Sequence, residues 1–338
     1  MSRRDLSGPR DLTGLPAYRV IIRRNYVRKA TVMQRYLLSR LLQAVAILFG
    51  VLLLVFLMVR ATGDPAALMM PREASQQDIQ AFRHAMGFDR PLLIQFWDFL
   101  SGVVVGDFGN SLYYKTPALP LILERLPATL QLACVGMLMA LVVGIPLGLA
   151  AGATPGSLWD TIARAVGLLG QSTPNFWLAM VMIIIFAVNL GWLPSFGRDE
   201  LKSVIMPAFV LGLPTMGVLV RLTRSAVLEI RGEDYVRTAY GKGLRPRQVY
   251  FRHILRNVAI PLVSVIGIQF GYMLGGSIYI ETIFAWPGMG TLIADAVGHR
   301  DFLLVQSIAF FTSAVIIALS LLTDLVYSLL DPRIRYGA

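Results

Sequence analysis

Glu233–Pro261 reads EDYVRTAYGKGLRPRQVYFRHILRNVAIP, a polar and basic island between two long apolar runs. Val236, Ala239, Tyr240 and Gly243 recur at i, i+3, i+4 and i+7, which is one face of an amphipathic helix. Gly243 then supplies a helix C-terminus, and Pro246 suits the first turn of the next helix. In that second helix Tyr250, Ile254 and Val258 form an i, i+4, i+8 row. The segment therefore reads as a short helix, a turn and a second helix at a membrane surface. Such an island is the natural place for a membrane subunit to be moved by a partner.

The surroundings of the island set the fold class. The chain has 338 residues, 56% of them hydrophobic, and a mean hydropathy of +0.63. Charged residues make up only 15%, against about 25% in soluble domains. Several runs reach the roughly 20 apolar residues that cross a ~30 Å hydrocarbon core. The expected fold is all-α: a polytopic membrane protein with six transmembrane helices and both termini cytoplasmic. A net charge of +11 could indicate nucleic acid, but the basic residues crowd the flanks of the spans, as the positive-inside rule expects. No nucleic-acid partner is expected. Cys134 is the single cysteine, and His84, His253 and His299 have no ligand spacing, so neither a disulfide nor a metal site is expected.

Residues 1–35 form a basic cytoplasmic leader, read as flexible at least as far as Pro16, and 36–60 the first, uncleaved span. Residues 61–126 form an extracytoplasmic helical segment. There Ser75 and Asp78 make a capping box, and Ile79, Phe82 and Met86 one apolar face ended by Gly87. A second short helix from Pro91 puts Leu92, Phe96 and Phe99 on one side. This segment is either a cap on the bundle or a docking surface for an extracytoplasmic partner. The core, 127–330, holds the second to sixth spans with a cytoplasmic loop at 224–257, and 331–338 is a tail. Gly136, Ala140, Gly144 and Gly148 in the second span allow close helix approach. The third span, about 162–190, carries a polar patch with Gln171, Ser172, Thr173, Pro174 and Asn175. Backbone freed by proline at that depth needs protein or water to satisfy it. The patch is thus either a packed kink or a wall of a hydrated pathway. Pro207 and Pro214 should bend the fourth span, and Gln269 and Tyr272 lie in the fifth. Gln171, Ser172, Asn175, Gln269 and Tyr272 are the pathway candidates, with interhelical contacts as the other role open to them. Ala285–Arg300 reads as a re-entrant or interfacial loop outside.

Charge tests this topology. Segments assigned inside hold 20 of the 31 Lys/Arg and those outside, with Arg60 at the outer end of the first span included, hold nine, while Arg40 and Arg221 sit at inner span ends. No phosphate-binding loop, HExxH, GxSxG or clustered carboxylate pair is present, so no catalytic residue is expected and the chain is not read as an enzyme. Glu281 and Asp324 lie toward the ends of their spans, which weakens a proton-coupled mechanism. Energy then has to enter from elsewhere, through the cytoplasmic loop. A self-contained secondary transporter or channel is the alternative; inverted repeats or paired intramembrane acids would favour it, and neither is seen. A lipid-binding role for the loop is countered by Glu229, Glu233 and Asp234.

At this loop the sequence resembles the permease subunits of ATP-binding-cassette importers. Their loose pattern is E-A-A, three residues, then glycine, closing later on a proline. Arg237-Thr238-Ala239 occupies the first three positions, Gly243 the glycine and Pro261 the proline. The initial glutamate is absent and the glycine-to-proline interval is long, departures that suit the peptide, nickel and glutathione branch. GFDRPLLIQF (87–96), GDFGNSL (106–112), ERLPATL (124–130), GWLP (191–194), RLTRSAVLE (221–229), ETIFAWPGMG (281–290) and LLDPRIRY (329–336) resemble the first permease of that branch. Together they cover about Tyr36 to Tyr336.

The resemblance implies a type I importer of the bacterial inner membrane. It implies a second permease subunit, two cytoplasmic ATPase subunits and an extracytoplasmic solute-binding protein as partners. ATP and Mg would be bound by the ATPases, with no cofactor in this chain. Asp234, Tyr235, Thr238, Ala239, Lys242 and Gly243 would lie in or beside the ATPase groove. Di- and oligopeptides or related small solutes would be the cargo.

Overall fold

The computed structural model describes residues 15–61, 63–70 and 73–330, with side chains described from 38 onward except at 68, 246, 260 and 326–330. Residues 1–14 of the expected leader and the 331–338 tail lie outside the described residues. The chain runs α1 (Leu15–Ala61), α2 (Pro65–Met69), α3 (Gln76–Ala85), α4 (Leu92–Val105), α5 (Ala118–Ala153) and α6 (Leu158–Ser172). It continues through α7 (Asn175–Met182), α8 (Ile205–Gly232), α9 (Asp234–Gly241), α10 (Pro246–Val249), α11 (Leu255–Ile283), α12 (Met289–Gly298) and α13 (Phe302–Leu330). Five helices are long and apolar enough to cross a membrane, and α6 with α7 makes a sixth if that bent pair counts as one span.

Helix α8 is the axis of the bundle. One side of α5 lies on it through Gly136, Gly144, Gly148 and Gly152, all buried. A methyl placed on Gly212 would sit 2.5 Å from the Gly136 carbonyl oxygen, and one on Gly148 would sit 2.7 Å from the Val220 carbonyl. On another side α6 brings Gly170 against Leu213 and Gly217, and Gly167 against Arg221. Small residues admit backbone to backbone here, which is how helices gain dispersion contacts in lipid, where burial from water cannot drive them together. The closeness anticipated for the second span is therefore present, and Gly212 of α8 is the glycine that meets Gly136. At the other face of the bundle Gly267 of α11 lies against Thr323 of α13. Arg40 of α1 reaches Asp324 of α13 at 3.2 Å.

Three expectations change, and one helix is longer than the span it carries. Helix α1 begins at Leu15, well ahead of the span expected at 36–60, because between Pro16, in its first turn, and Gly50 the sequence offers no glycine or proline to stop it. The apolar part of it is Leu38–Ala61. Pro207 does not break α8: it lies in the first turn, where the missing N–H has no intrahelical acceptor to lose. The third span is no gentle kink. Thr173 is extended (φ −84°, ψ 121°), as the residue before a proline prefers, and α6 and α7 meet at 107°. In α4 only Phe96 is buried, wedged edge-on between Phe49 and Phe56 of α1 at 5.5 and 5.3 Å, while Leu92 is exposed. The Ser75–Asp78 capping box forms as expected, and Gly87 (φ +68°) ends α3.

The axial packing predicts an asymmetry among glycines. Gly212→Ala should lower thermal stability in detergent by an amount equivalent to about 1–3 kcal/mol, the scale of overpacking, because a backbone carbonyl cannot step aside. Gly232→Ala, with open space around it, should leave the melting curve unchanged. Equal melting temperatures for the two variants would refute the close α5–α8 contact.

Candidate functional site

Helix α8 runs on into the stretch expected as a loop from 224, as far as Gly232, and passes directly into α9. The junction is a single extended residue, Glu233 (φ −70°, ψ 144°). Val236 and Ala239 of α9 are buried with Val249 of α10 and Ile230 of α8 in a small separate core. The helix ends in a Schellman turn: the Gly243 N–H donates to the Tyr240 carbonyl and the Leu244 N–H to the Ala239 carbonyl. Gly243 takes φ +79°, where a side chain is strained by about 1–2 kcal/mol, yet a methyl there would meet nothing of this chain. From Pro246 the helix continues through a π turn, Tyr250–Ile254, into α11. Ile254 and Val258 are buried, as their row with Tyr250 requires.

This hairpin is fastened to the bundle by polar bonds the sequence did not disclose. Arg231 donates to the Gly152 and Ala153 carbonyls at 2.9 and 2.7 Å, two of the carbonyls left open at the end of α5. The Tyr250 hydroxyl donates to the Leu149 carbonyl at 2.7 Å, and burial raises its pKa. Asn257 of α11 donates to the Tyr235 hydroxyl at 3.0 Å. One turn and more back along α8, Arg224 grips buried Asp160 at 2.5 and 3.3 Å. Asp160 also accepts from the Gly156 N–H at 2.9 Å, so the α5–α6 loop is pinned to α8 as well.

Of the six residues expected to face a partner, five do present outward. Asp234, Tyr235, Thr238, Lys242 and Gly243 are exposed along α9 and its terminal turn. Ala239 is on the opposite side, buried in the small core, and supports the surface from beneath. Tyr240 is exposed too, so the buried face is narrower than the four-residue stripe expected. The pathway candidates are less concentrated. Gln171 and Ser172 are exposed at the end of α6, and Asn175 opens α7 half-buried. Gln269 donates to Thr215 of α8 at 3.4 Å, an interhelical contact. Tyr272 is 72% exposed on α11, on a stripe with Ile268 and Tyr279 that none of the described elements covers. Among the described residues no hydrogen bond joins the α6–α7 break to Gln269 or Tyr272.

A polar cluster at the ETIFAWPGMG stretch was missed. Glu281, expected merely near a span end, is completely buried. Its carboxyl group accepts from the Thr129 hydroxyl at 2.7 Å and from the Gly290 and Thr291 N–H groups at 2.6 and 3.3 Å. Thr129 in turn accepts from the Met289 N–H, and the Trp286 indole donates to the Ala128 carbonyl at 2.9 Å. A methyl on Gly290 would lie 2.5 Å from the Ile278 Cα. The stretch read as a re-entrant or interfacial loop thus folds back as α12, tied to α5 and α11 through one carboxyl group. The only signal for it in sequence was an acid followed closely by a glycine-rich turn.

Comparison with known proteins agrees with this geometry. Residues 144–336 match the family described as binding-protein-dependent transport system inner membrane component. Residues 33–133 match its N-terminal companion. The glutathione transport system permease protein GsiC of Escherichia coli (strain K12) is 39% identical over 305 residues, covering 90% of this chain and all of that one. The oligopeptide transport system permease protein AppB of Bacillus subtilis (strain 168) is 36% identical over 316 residues, with the same coverage. Among solved structures, an inward-facing form of the MetNI methionine ABC transporter superposes with a TM-score of 0.52 at 18% identity. It covers 62% of this chain and 96% of its own, which shows the shared fold.

Glu281→Leu should strand three donors in the interior and cost about 3 kcal/mol or more, read as loss of monodisperse protein on size exclusion or a large fall in melting temperature. Glu281→Gln keeps the acceptor oxygen and should lose less. A leucine variant as stable as the parent would dissolve the assignment of Glu281 as the tie between α5, α11 and α12.

Proposed function

The chain belongs to the family of binding-protein-dependent transport system inner membrane components, and on that premise we propose which cargo it passes and how it is driven. It is a permease subunit of an ATP-binding-cassette importer, a transport protein of the inner membrane, and it contributes to the translocation pathway. That membership sets aside the secondary transporter and the channel. The cargo is short peptides, glutathione-like tripeptides included, since relatives named for glutathione and for oligopeptide transport match it over nearly their whole length. Six spans with both termini cytoplasmic, the arrangement that the distribution of Lys and Arg favours, put α9 in the cytoplasm and residues 61–126 outside.

One observation carries the mechanism: α9 is an outward-facing helix on a rigid mount. Its exposed residues Asp234, Tyr235, Thr238, Lys242 and Gly243 dock in a groove of an ATPase subunit. Its mount, the Val236–Ala239–Val249 core and the Arg231 bonds to α5, transmits movement to α8 and α5 rather than absorbing it. Two such ATPases close on ATP and Mg, a second permease completes the pathway, and a solute-binding protein delivers the peptide outside. Docking must differ between the open and closed ATPase states for the cycle to do work. The exposed Tyr272 stripe of α11 and the α6–α7 break line the route, where peptide amides meet hydroxyl and amide side chains.

Reconstitution with the neighbouring permease, ATPase and binding-protein subunits tests this directly. Peptide should stimulate ATP turnover. Gly243→Glu, whose Cβ meets no described atom of this chain, should cut that stimulation by about tenfold or more, the scale of a docking residue at the centre of an interface. Gly243→Asn, which tolerates the left-handed backbone, should keep most of it. Peptide uptake that persists with no ATPase present would overturn the mechanism.

A further inference from the structure

Where α1 leaves its apolar stretch, a cavity of about 210 Å³ opens between α1, the α3–α4 turn and the start of α13. Arg60, Phe88, Gln95, Asp98 and Gln306 line it. At roughly 30 Å³ per molecule of liquid water, that is room for a compact polar group. Arg60 is held in place but not neutralised. Its Nε and Nη2 both donate to the Gln95 side-chain oxygen at 3.2 and 2.6 Å, and Nη1 donates to the Phe56 carbonyl at 3.3 Å. Gln95 is itself spent, its amide nitrogen donating to the Phe88 and Arg90 carbonyls at 3.1 and 2.7 Å. Two of the five guanidinium N–H groups remain without a bond, and among the described residues no carboxylate pairs with Arg60. The nearest acid on the lining, Asp98, is engaged by Arg90 at 3.2 Å.

A second observation points the same way. Gln306 is 3% exposed, and its amide nitrogen has no hydrogen-bond partner. Leaving such a donor buried and unmade costs about 1–3 kcal/mol, so a group that accepts from it is strongly favoured. Fixed cationic N–H donors and an open amide donor on the lining of one cavity form a site for tetrahedral oxyanions.

We propose that this cavity binds a phosphate-type anion through Arg60 and Gln306. The phosphate comes either from a phospholipid headgroup or from free inorganic phosphate. Arg60 stands in the last turn of the apolar span Leu38–Ala61, the depth at which lipid phosphates lie. Asp98 on the same lining gives a place for the ammonium of an ethanolamine headgroup.

Native mass spectrometry of the purified full chain, titrated with dioleoylphosphatidylethanolamine, tests the proposal. Dioleoylglycerol serves as the phosphate-free control. A parallel arm measures thermal shift with inorganic phosphate. One phosphate-bearing ligand should be retained per chain, and Arg60→Leu should weaken it about tenfold or more. Gln306→Leu removes an amide nitrogen that bonds to none of the described residues and should weaken it by a smaller factor while leaving the unliganded protein folded. Retention of the phospholipid but not the diacylglycerol assigns a lipid source. Stabilisation by inorganic phosphate that both variants abolish assigns a soluble one. If both variants bind each probe as the parent does, or if no phosphate-bearing probe binds, the site does not exist.

Discussion

Everything in this chain hangs on how closely α5 and α8 approach. In lipid, one helix gains nothing from hiding apolar surface from water, so the bundle needs another reason to be a bundle. Here the reason is backbone contact: Gly136 against Gly212, Gly148 against Val220 and Thr223, Gly152 against Val227. Each contact replaces a side chain's reach by direct dispersion and tightens over four turns of helix. Because α6 uses Gly167 and Gly170 to approach α8 from elsewhere, α8 is fixed from two directions. Among the described residues it is the one long helix whose apolar stretch is mostly buried.

That fixation gives the exposed α9 its mechanical meaning. A helix at the end of a flexible tether can be pulled without moving anything. Helix α9 instead follows α8 after one residue, shares a small core with α10, and is bonded to the end of α5 through Arg231. A displacement of α9 must rotate α8 and α5 together or break those bonds. Packed glycine contacts resist shear because a backbone carbonyl has no rotamer to change. Motion is therefore passed on to whichever joints are weaker, and the 107° break at Thr173-Pro174 is the most evident of them.

Much of this was legible in sequence, and the limits have physical causes. Periodicity and turn chemistry are local, so the α9 helix, its Gly243 terminus and the Tyr250–Ile254–Val258 row could be read from neighbours a few residues apart. So could the capping box at Ser75 and the small-residue face of α5. Pairings across the bundle could not. Gly212 and Gly217 carried no sign of which helix they would meet. Glu281 looked peripheral because its partner Thr129 is 152 residues away. Proline 174 promised a bend, but its size depended on Thr173 leaving the helix altogether, which local preference permits without requiring. The stripe assigned to α9 was two residues too generous at its C-terminal end, since Tyr240 faces out and Gly243 already belongs to the turn.

The same contrast separates the two ends of the molecule. At the α9 end the ties are mostly side chain to backbone carbonyl: Arg231 to Gly152 and Ala153, Tyr250 to Leu149. At the other end they are buried acids gathering N–H and O–H donors: Glu281 with Thr129 and Gly290, Asp301 with Ser111 and the Tyr113 and Leu304 N–H groups. A buried acid whose acceptor sites are filled is costly to open, because every donor it releases is stranded in the interior. Arg–carbonyl bonds at a water-facing end lose far less, since water can take their place. Opening the ties around α12 and the start of α13 therefore costs more than opening the Arg231 bonds that hold α9 to the end of α5.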